Sequence, residues 1–197
     1  MMSLFEKIVR IKTGLGKRLY PYYSDALVGT KTLLNLGSGD GVFSEYLRRK
    51  VPDLEVLDID VVDANRVGRS PIIYDGKNIP LPNGSVEVVL CEFVLHHTNT
   101  HEHLVREIDR VCRREMIIVE DCANGAFDRL LCSVHGFFTR SMSTGGKANF
   151  RSREGWVRLF QEAGLKVHGV VKVPRKHNIS YPVSRSIYFL AARSDKV

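Results

Sequence analysis

The strongest constraint on the fold lies between residues 33 and 47, where an apolar stretch runs into glycines and then into a helical pattern. The stretch and the turn read Leu33-Leu34-Asn35-Leu36-Gly37-Ser38-Gly39-Asp40-Gly41. Glycines let the backbone bend tightly and let a ligand approach without a Cβ in the way, and the helix N-terminus offers unpaired N–H groups. The dinucleotide fingerprint needs a third glycine at position 42, where this chain has Val42, so the turn disfavours NAD.

Strand-like segments alternate with helical patterns along the rest of the chain. Seven short segments have the apolar, β-branched composition of strands, at 32–36, 54–59, 72–74, 86–92, 116–120, 166–173 and 186–192. Crossover helices are predicted over 100–114 and from the N-cap Ser152 to Gly164. The alternation predicts an α/β fold with a doubly wound, Rossmann-like, mostly parallel seven-stranded sheet. Only a loop separates the last two strands, so we expect them to pair antiparallel.

The chain shows no internal repeat and no linker, so residues 1–197 are predicted to form a single domain. Residues 1–31 are expected to form an N-terminal cap helix region. Residues 122–151 mix glycines with aromatic and basic side chains, which favours a loop-rich substrate-cap insertion; a helical excursion with a structural role is the alternative.

Composition and charge narrow the classes of protein. No apolar run approaches the ~20 residues of a membrane-spanning helix, and no secretory signal is recognisable, so a cytoplasmic protein is expected. The four cysteines match no zinc spacing, which predicts buried, reduced thiols.

Positive charge is concentrated outside the central part of the chain. Residues 1–31 carry six basic and two acidic side chains, and residues 140–176 carry nine basic and two acidic ones. Residues 32–139 carry eleven basic and seventeen acidic side chains. This excess of positive charge fits either a solvated surface or a lip for an anionic group, phosphate or nucleic acid.

Carboxylates follow the second, third and fourth strand segments. The second segment contains Asp58 and ends near Asp60, and the third runs into Tyr74-Asp75-Gly76-Lys77-Asn78-Ile79-Pro80-Leu81-Pro82. The fourth runs into Cys91-Glu92-Phe93-Val94-Leu95-His96-His97-Thr98. Together with the glycine turn, these motifs over residues 32–121 resemble class I S-adenosylmethionine-dependent methyltransferases. The Leu-Pro and Leu-His-His sequences are similar to the small-molecule, "methyltransferase type 11"-like branch.

The resemblance implies S-adenosyl-L-methionine as cofactor, with S-adenosyl-L-homocysteine as product. It assigns the cofactor site to residues of all four motifs: Asn35, Gly37, Ser38, Gly39, Gly41, Asp60, Val61, Asp75, Gly76, Lys77, Glu92 and Phe93. In the family, the acid that ends the second strand accepts hydrogen bonds from both ribose hydroxyls. Strand phase and distance from the glycines favour Asp60 over Asp58. Asp75 would face the adenine amine, and Asn35 stands where the family often has an acid.

Histidines supply the candidates for acid–base chemistry. If the acceptor is a hydroxyl, the resemblance makes His97 and His96 the nearest general bases, with packing roles as the alternative. His135, in the predicted cap, is a candidate for substrate contact. The pair His101 and His103 lacks the carboxylates of a metal site and begins a crossover helix, so no metal is predicted.

Three functions remain open at this stage. Methyl transfer to a small, perhaps anionic, molecule is favoured by the motifs. An RNA or protein methyltransferase is the second reading, because of the basic flanks, although the loop after the fourth strand is not Asn/Asp-Pro-Pro-Tyr. A non-catalytic cofactor-binding partner subunit is the third, because of Asn35. The acceptor and the oligomeric state are not indicated by the sequence.

Overall fold

One seven-stranded sheet organises the computed structural model, which describes residues 14–139, 148–177 and 181–193. The strands are β1 (Thr32–Leu36), β2 (Glu55–Asp60), β3 (Ile72–Ile73), β4 (Val86–Glu92), β5 (Cys112–Cys122), β6 (Lys166–Val173) and β7 (Ser184–Ala191). The helices are α1 (Val42–Lys50), α2 (His101–Val111), α3 (Ala126–Phe138) and α4 (Arg153–Glu162). Residues 14–19 are also helical, and 3-10 turns occupy Tyr20–Tyr22, Ser24–Leu27, Leu95–His97 and Arg175–His177.

The strand order is β3-β2-β1-β4-β5-β7-β6. Strands β1 to β5 run parallel, and β7 pairs antiparallel with both β5 and β6. The order reverses beside β1, because β2 lies on one side of it and β4 on the other. Doubly wound sheets bind ligands at such a switch point, outside the carboxyl ends of the strands. The predicted fold class, including the antiparallel C-terminal pair, is confirmed.

Apolar side chains cover both faces of the sheet, as the alternation along β1 requires. Leu34 packs in a cluster with α2 and α4, whereas Leu33 packs in a second cluster with α1 and the N-terminal helical segment. Trp156 of α4 is fully buried in the first cluster, and its Nε1 donates to the carbonyl of Asp121 over 3.1 Å. The two layers hold the sheet in place, since α1, α2 and α4 are each packed on it through such contacts.

The boundaries of the predicted strands and crossover helices lie within two residues of those in the structure, except around β5. The predicted helix over 100–114 ends at Val111, because Cys112 already belongs to β5, which is longer than the predicted 116–120. Helix α4 begins as predicted: the Ser152 side chain accepts a hydrogen bond from the Gly155 N–H over 3.0 Å. Gly164 has a φ of 81° just after α4, a left-handed conformation that glycine adopts at little cost.

The segment 122–151 is more regular than the sequence indicates. Its first half forms the 13-residue helix α3, while residues 140–147 lie outside the described residues. The outer face of α3 exposes five apolar side chains, Phe127, Leu130, Val134, Phe137 and Phe138. The expected loop is therefore a helix, and its role as a substrate cap stays a prediction. The N-terminal cap region 1–31 is described only from residue 14 onward.

Two further expectations concern thiols and membranes. All four cysteines are buried and not joined in disulfides, as predicted. Within the described ranges, no helix combines the length and the apolar character that crossing a membrane requires.

Candidate functional site

The glycine turn after β1 depends on left-handed backbone conformations. Gly37, Gly39 and Gly41 have φ values of 73°, 62° and 74°. A Cβ on Gly41 would lie 2.6 Å from Asn65 Nδ2 and 2.9 Å from Val67 Cγ2, so this position has no room for a side chain. The turn therefore presents backbone rather than side chains at the start of α1, as a phosphate- or nucleotide-like ligand requires.

Asp60 joins the end of β2 to this turn. Its Oδ2 accepts a hydrogen bond from the Gly39 N–H over 2.8 Å, and its Oδ1 accepts from the Val61 N–H over 2.7 Å. Each carboxylate oxygen has two lone pairs, so both retain an acceptor site for a further donor. The half-buried carboxylate is thus held in place and still able to accept hydrogen bonds from a diol.

Asp58, the alternative acid, is used inside the protein. It accepts hydrogen bonds from the Ser44 hydroxyl and from Arg48 Nη2, the latter over 2.9 Å. Its side chain is 7% exposed, between β2 and α1. Asn35, its neighbour in the sheet, donates to Ser44 Oγ over 2.8 Å. Asp58 and Asn35 therefore form a buried polar network that holds α1 on the sheet.

Asp75 shapes the turn after β3. Its carboxylate accepts hydrogen bonds from the Lys77 and Asn78 N–H groups, both over 2.7 Å. The bond from the Asn78 N–H, followed by that from Lys77, lowers the pKa of Asp75 below its ordinary value. The left-handed Gly76 follows it, with a φ of 77°. A backbone hydrogen bond joins this turn to the end of β2: the Tyr74 N–H donates to the Asp60 carbonyl over 3.1 Å.

The end of β4 carries a buried carboxylate and a strained residue. Glu92 Oε1 accepts a hydrogen bond from the Tyr23 hydroxyl over 3.0 Å, and burial raises the pKa of Tyr23, with the Glu92 charge adding to the effect. Phe93 has a φ of 58°, a conformation that costs a non-glycine residue about 1–2 kcal/mol. Strain of this kind concentrates at functional sites, where the surrounding structure enforces it.

Ser38 provides the clearest indication of a ligand in the turn. The residue is 7% exposed, and its Oγ has no hydrogen-bond partner among the described residues. Buried hydroxyls are nearly always paired, so a polar group brought by a ligand would satisfy this one. The turn, Asp60 and Asp75 all lie at the carboxyl edge of the parallel strands, where a nucleoside would span them. These residues fit an adenosyl cofactor.

Three histidines meet beyond the end of β4. His96 and His97 belong to the 3-10 turn Leu95–His97, and His135 projects from α3; one ring nitrogen of each lies within 4.8 Å of the others. Burial lowers the pKa of His135 from its ordinary value; the charge of Asp121 opposes this shift, and that of Arg185 adds to it. This arrangement favours a neutral imidazole at position 135 near neutral pH.

Buried acids on β5 support this group of histidines. Glu120, which is fully buried, accepts a hydrogen bond from the Leu95 N–H over 2.7 Å, and its Oε2 lies 2.5 Å from His96 Nδ1. The next residue, Asp121, binds Arg185 Nε over 2.7 Å. The Arg185 guanidinium in turn lies 4.6 Å from the centre of the Phe93 ring. The charge of Asp121 is therefore compensated within the protein.

The structure brings together most of the residues predicted from the sequence and separates two. The cofactor candidates lie at the carboxyl ends of β1 to β4 or just beyond them, and His96, His97 and His135 meet at the end of β4. His103 is exposed and contacts Asn78, while His101 packs against Trp156, with ring centres 5.4 Å apart. The pair 101 and 103 therefore does not share a site with the others.

Sequence reasoning did not identify Glu120, Tyr23 or Tyr181 as parts of the site. Glu120 had a signal, because it follows Ile117, Ile118 and Val119 in a strand that is buried on both faces. The two tyrosines had none, since they come from distant segments that only the tertiary fold brings to this edge.

Comparison with known proteins adds the family. The family described as "Methyltransferase domain" matches residues 11–170. The chain is 23% identical over 117 residues to the malonyl-[acyl-carrier protein] O-methyltransferase of Legionella pneumophila. That match covers 54% of this chain and 41% of the Legionella protein, so the chain spans less than half of this curated relative.

Solved structures agree over nearly the whole chain. The methyltransferase in complex with the Haloferax volcanii Trm112 methyltransferase activator has a TM-score of 0.69 at 14% identity, covering 98% of this chain and 99% of that one. A SAM-dependent methyltransferase from Aquifex aeolicus has a TM-score of 0.67 at 17% identity, covering 98% and 100%. At these identities the likeness shows the fold alone. The family match over residues 11–170 goes further: the chain belongs to the methyltransferase domain family, and the prediction of S-adenosylmethionine as its cofactor is confirmed.

Proposed function

We propose that the protein transfers a methyl group from S-adenosylmethionine to a small, anionic acceptor. The observation that carries the proposal is the bond between Asp60 and the Gly39 N–H, which joins the acid after β2 to the glycine turn after β1. A ribose presents two vicinal hydroxyl donors, and one carboxylate held in this way accepts both. The buried Ser38 hydroxyl adds a polar group at the same turn.

Each part of the cofactor has residues that would hold it. Asp60 and Val61 would bind the ribose, and Asp75, Gly76 and Lys77 the adenine. Gly37 to Gly41 and Asn35 would surround the methionine part, with Glu92 and Phe93 on the side of the acceptor.

The cofactor supplies a methyl group on a sulfonium that is already activated toward nucleophiles. The protein's own task is positioning, which contributes up to about 7–11 kcal/mol in well-oriented reactions. Phe93, held in its strained conformation, and the buried Glu92 fix the end of β4 beside the glycine turn. If the acceptor must lose a proton, His96, His97 and His135 are the candidates to take it; Glu120 holds the Nδ1 proton of His96, so its Nε2 would be the accepting atom.

The anionic acceptor is supported by charge and by one relative. The flanks 1–31 and 140–176 carry the excess of basic side chains. The Legionella relative is named for a malonyl group, which carries a carboxylate. The Haloferax protein forms a complex with an activator protein. The acceptor experiment is therefore also carried out with added partner proteins.

Calorimetry tests the cofactor site. We expect S-adenosylhomocysteine to bind the purified protein, and Asp60→Asn to weaken binding at least about tenfold, or 1.4 kcal/mol. Asp53→Asn is the matched control, because Asp53 is exposed and pairs with Lys31 at the surface. Unchanged affinity in folded Asp60→Asn protein would remove the ribose assignment.

Metabolite profiling tests the acceptor. Cell extract is incubated with the protein and cofactor carrying a heavy methyl group, and small molecules, RNA and protein are analysed separately for the label. Label in a small acid supports the proposal. Label confined to RNA or protein supports an RNA or protein methyltransferase instead. Label that appears only with an added partner protein supports a non-catalytic cofactor-binding subunit.

A further inference from the structure

The group formed by His96, His97 and His135, here called the histidine cluster, is not among the residues assigned to the cofactor. Its ring centres are 4.1 Å apart for His96 and His97, 5.5 Å for His96 and His135, and 5.7 Å for His97 and His135. Three imidazoles from two separate elements thus converge on one point.

The spacing suits a metal ion. Zinc–nitrogen bonds of about 2.0–2.1 Å in a tetrahedral arrangement place the nitrogens about 3.3 Å apart. One nitrogen of each histidine already lies within 4.8 Å of the others, so the side chains need to close in by at most about 1.5 Å.

Glu120 orients His96 in the way that metal ligands are oriented. A carboxylate accepts hydrogen bonds, so Glu120 Oε2, 2.5 Å from His96 Nδ1, keeps the proton on Nδ1 and the lone pair on Nε2. Glu120 is itself fixed, because its Oε1 accepts from the Val94 and Leu95 N–H groups over 3.1 and 2.7 Å. The same carboxylate places negative charge beside the cluster.

His135 supplies a second observation that points to a ligand. Its Nε2 is buried and has no hydrogen-bond partner among the residues that the structure describes. Phe150 stacks on His96 with ring centres 4.5 Å apart, and Tyr181 stacks on His135 at 5.1 Å. These rings restrict the imidazoles and cover them from two sides, so a bound cation would satisfy a nitrogen that the protein leaves unpaired.

We propose that His96, His97 and His135 bind a divalent transition-metal ion of the zinc class, with Glu120 as the residue that positions His96. Imidazole nitrogens suit Zn²⁺, Cu²⁺, Fe²⁺ and Ni²⁺, whereas Mg²⁺ and Ca²⁺ prefer oxygen ligands. This departs from the sequence prediction of no metal, which considered the spacing of His101 and His103 and had no means of placing His135.

Three protein ligands leave a fourth position open, as in catalytic zinc sites. The cluster follows directly on Glu92 and Phe93, so this position lies on the acceptor side of the proposed cofactor site. A hydroxyl or thiol bound to the metal would release its proton to water at a lower pH than in solution and remain as an anion. This role rests on the proposed function, whereas binding of the metal does not.

Cobalt titration tests the site. Protein without an affinity tag is first treated with a chelator. One sample is then titrated with Co²⁺ alone, and binding is measured by the visible absorption of the ion. A second sample is titrated with Zn²⁺ in a calorimeter. We expect one ion per chain and the intense absorption of four-coordinate Co²⁺. Glu120→Gln is expected to lower the affinity about 10–100-fold, because the amide N–H would face Nδ1 and move the proton to Nε2.

Matched aromatic variants locate the ligands. His135→Phe keeps a ring against Phe150 and Tyr181 but removes the nitrogen, and we expect a loss of more than about 100-fold, beyond the range of an orienting residue. His103→Phe, at an exposed position outside the cluster, should bind like the wild type. Circular dichroism checks folding; if His135→Phe does not fold, His97→Phe carries the same comparison.

Absence of a stoichiometric ion in the wild type, or equal affinity in a folded cluster variant, overturns the metal site. Binding of S-adenosylhomocysteine is measured on the same chelator-treated protein. If S-adenosylhomocysteine binds while Co²⁺ and Zn²⁺ do not, only the metal site is wrong. If the ions bind and S-adenosylhomocysteine does not, the proposed cofactor site is wrong.

Discussion

Replacement of Asp58 separates a structural carboxylate from a binding one. Asp58→Ala removes the acceptor for Ser44 and for Arg48, whose side chains lie between β2 and α1. Breaking a buried ion pair by removing one partner costs about 3–5 kcal/mol. Arg48 keeps Glu45 at 2.8 Å and the Val56 carbonyl at 2.7 Å, so we expect the lower end, about 3 kcal/mol.

Urea denaturation followed by circular dichroism measures this loss, and thermal unfolding gives a second readout. A domain of 150–250 residues loses about 2–4 °C of Tm per kcal/mol, so the Tm should fall by about 6–12 °C. Glu102→Ala is the control, because it also removes one acid from an ion pair, with Arg106 at 3.8 Å, but on the surface, where such pairs contribute about 0–1 kcal/mol.

The same variant also has a consequence for binding. The affinity of folded Asp58→Ala protein for S-adenosylhomocysteine should lie within about threefold of the wild-type affinity, or about 0.7 kcal/mol. The affinity of Asp60→Asn should fall at least about tenfold. If Asp58→Ala is as stable as Glu102→Ala, or if it loses the ligand more strongly than Asp60→Asn, the division of roles between the two acids is wrong.

Three other predictions follow from the packing. Gly41→Ala should destabilise the protein more than Gly68→Ala, since both residues have a φ of 74° but only Gly41 has atoms within 3 Å of the added Cβ; equal losses would mean that the turn has room for a methyl group. Ser152→Ala should lower the free energy of unfolding by about 1 kcal/mol through loss of the N-cap of α4, and Ser152→Asp should restore it. Burial raises the pKa of Cys122 to about 11 and of Cys132 to about 12, so both thiols should react with iodoacetamide much faster in urea than in the folded state at pH 8. Because the folded pKa values exceed the unfolded value of about 8.5, these thiols stabilise the fold below that pH, and the contribution is lost as the pH rises toward 11 and 12.

The local pattern was enough to predict much of the cofactor side. The apolar strand, the glycines and the acids that follow β2 and β3 are close together in the chain, and parallel strands place their carboxyl ends at one edge. Both the glycine turn and the mostly parallel sheet with its antiparallel C-terminal pair could therefore be anticipated. Strand phase favoured Asp60 over Asp58 for the ribose, and this assignment stays a prediction; the partner of Asp58, Arg48, became visible only in the structure.

The helix α3 shows where pattern reading reaches its limit. The segment 122–151 mixes glycines with aromatic and basic side chains, which favoured a loop, whereas residues 126–138 form a helix that exposes apolar side chains. A local pattern of residue types does not reveal this. The end of α2 was misplaced for a related reason, since Cys112 fits the helical period and yet begins β5.

The sequence by itself was enough to indicate the family, the doubly wound sheet and the place of the glycine turn, because each motif and each strand is recognised from neighbouring residues and their order along the chain is read directly. Only the tertiary structure decided which histidines meet. His96 and His135 are 39 positions apart in the printed sequence, and Glu120 reaches His96 from a neighbouring strand. Side chains from separate elements converge only when the packing of those elements is set, and no local period records that distance.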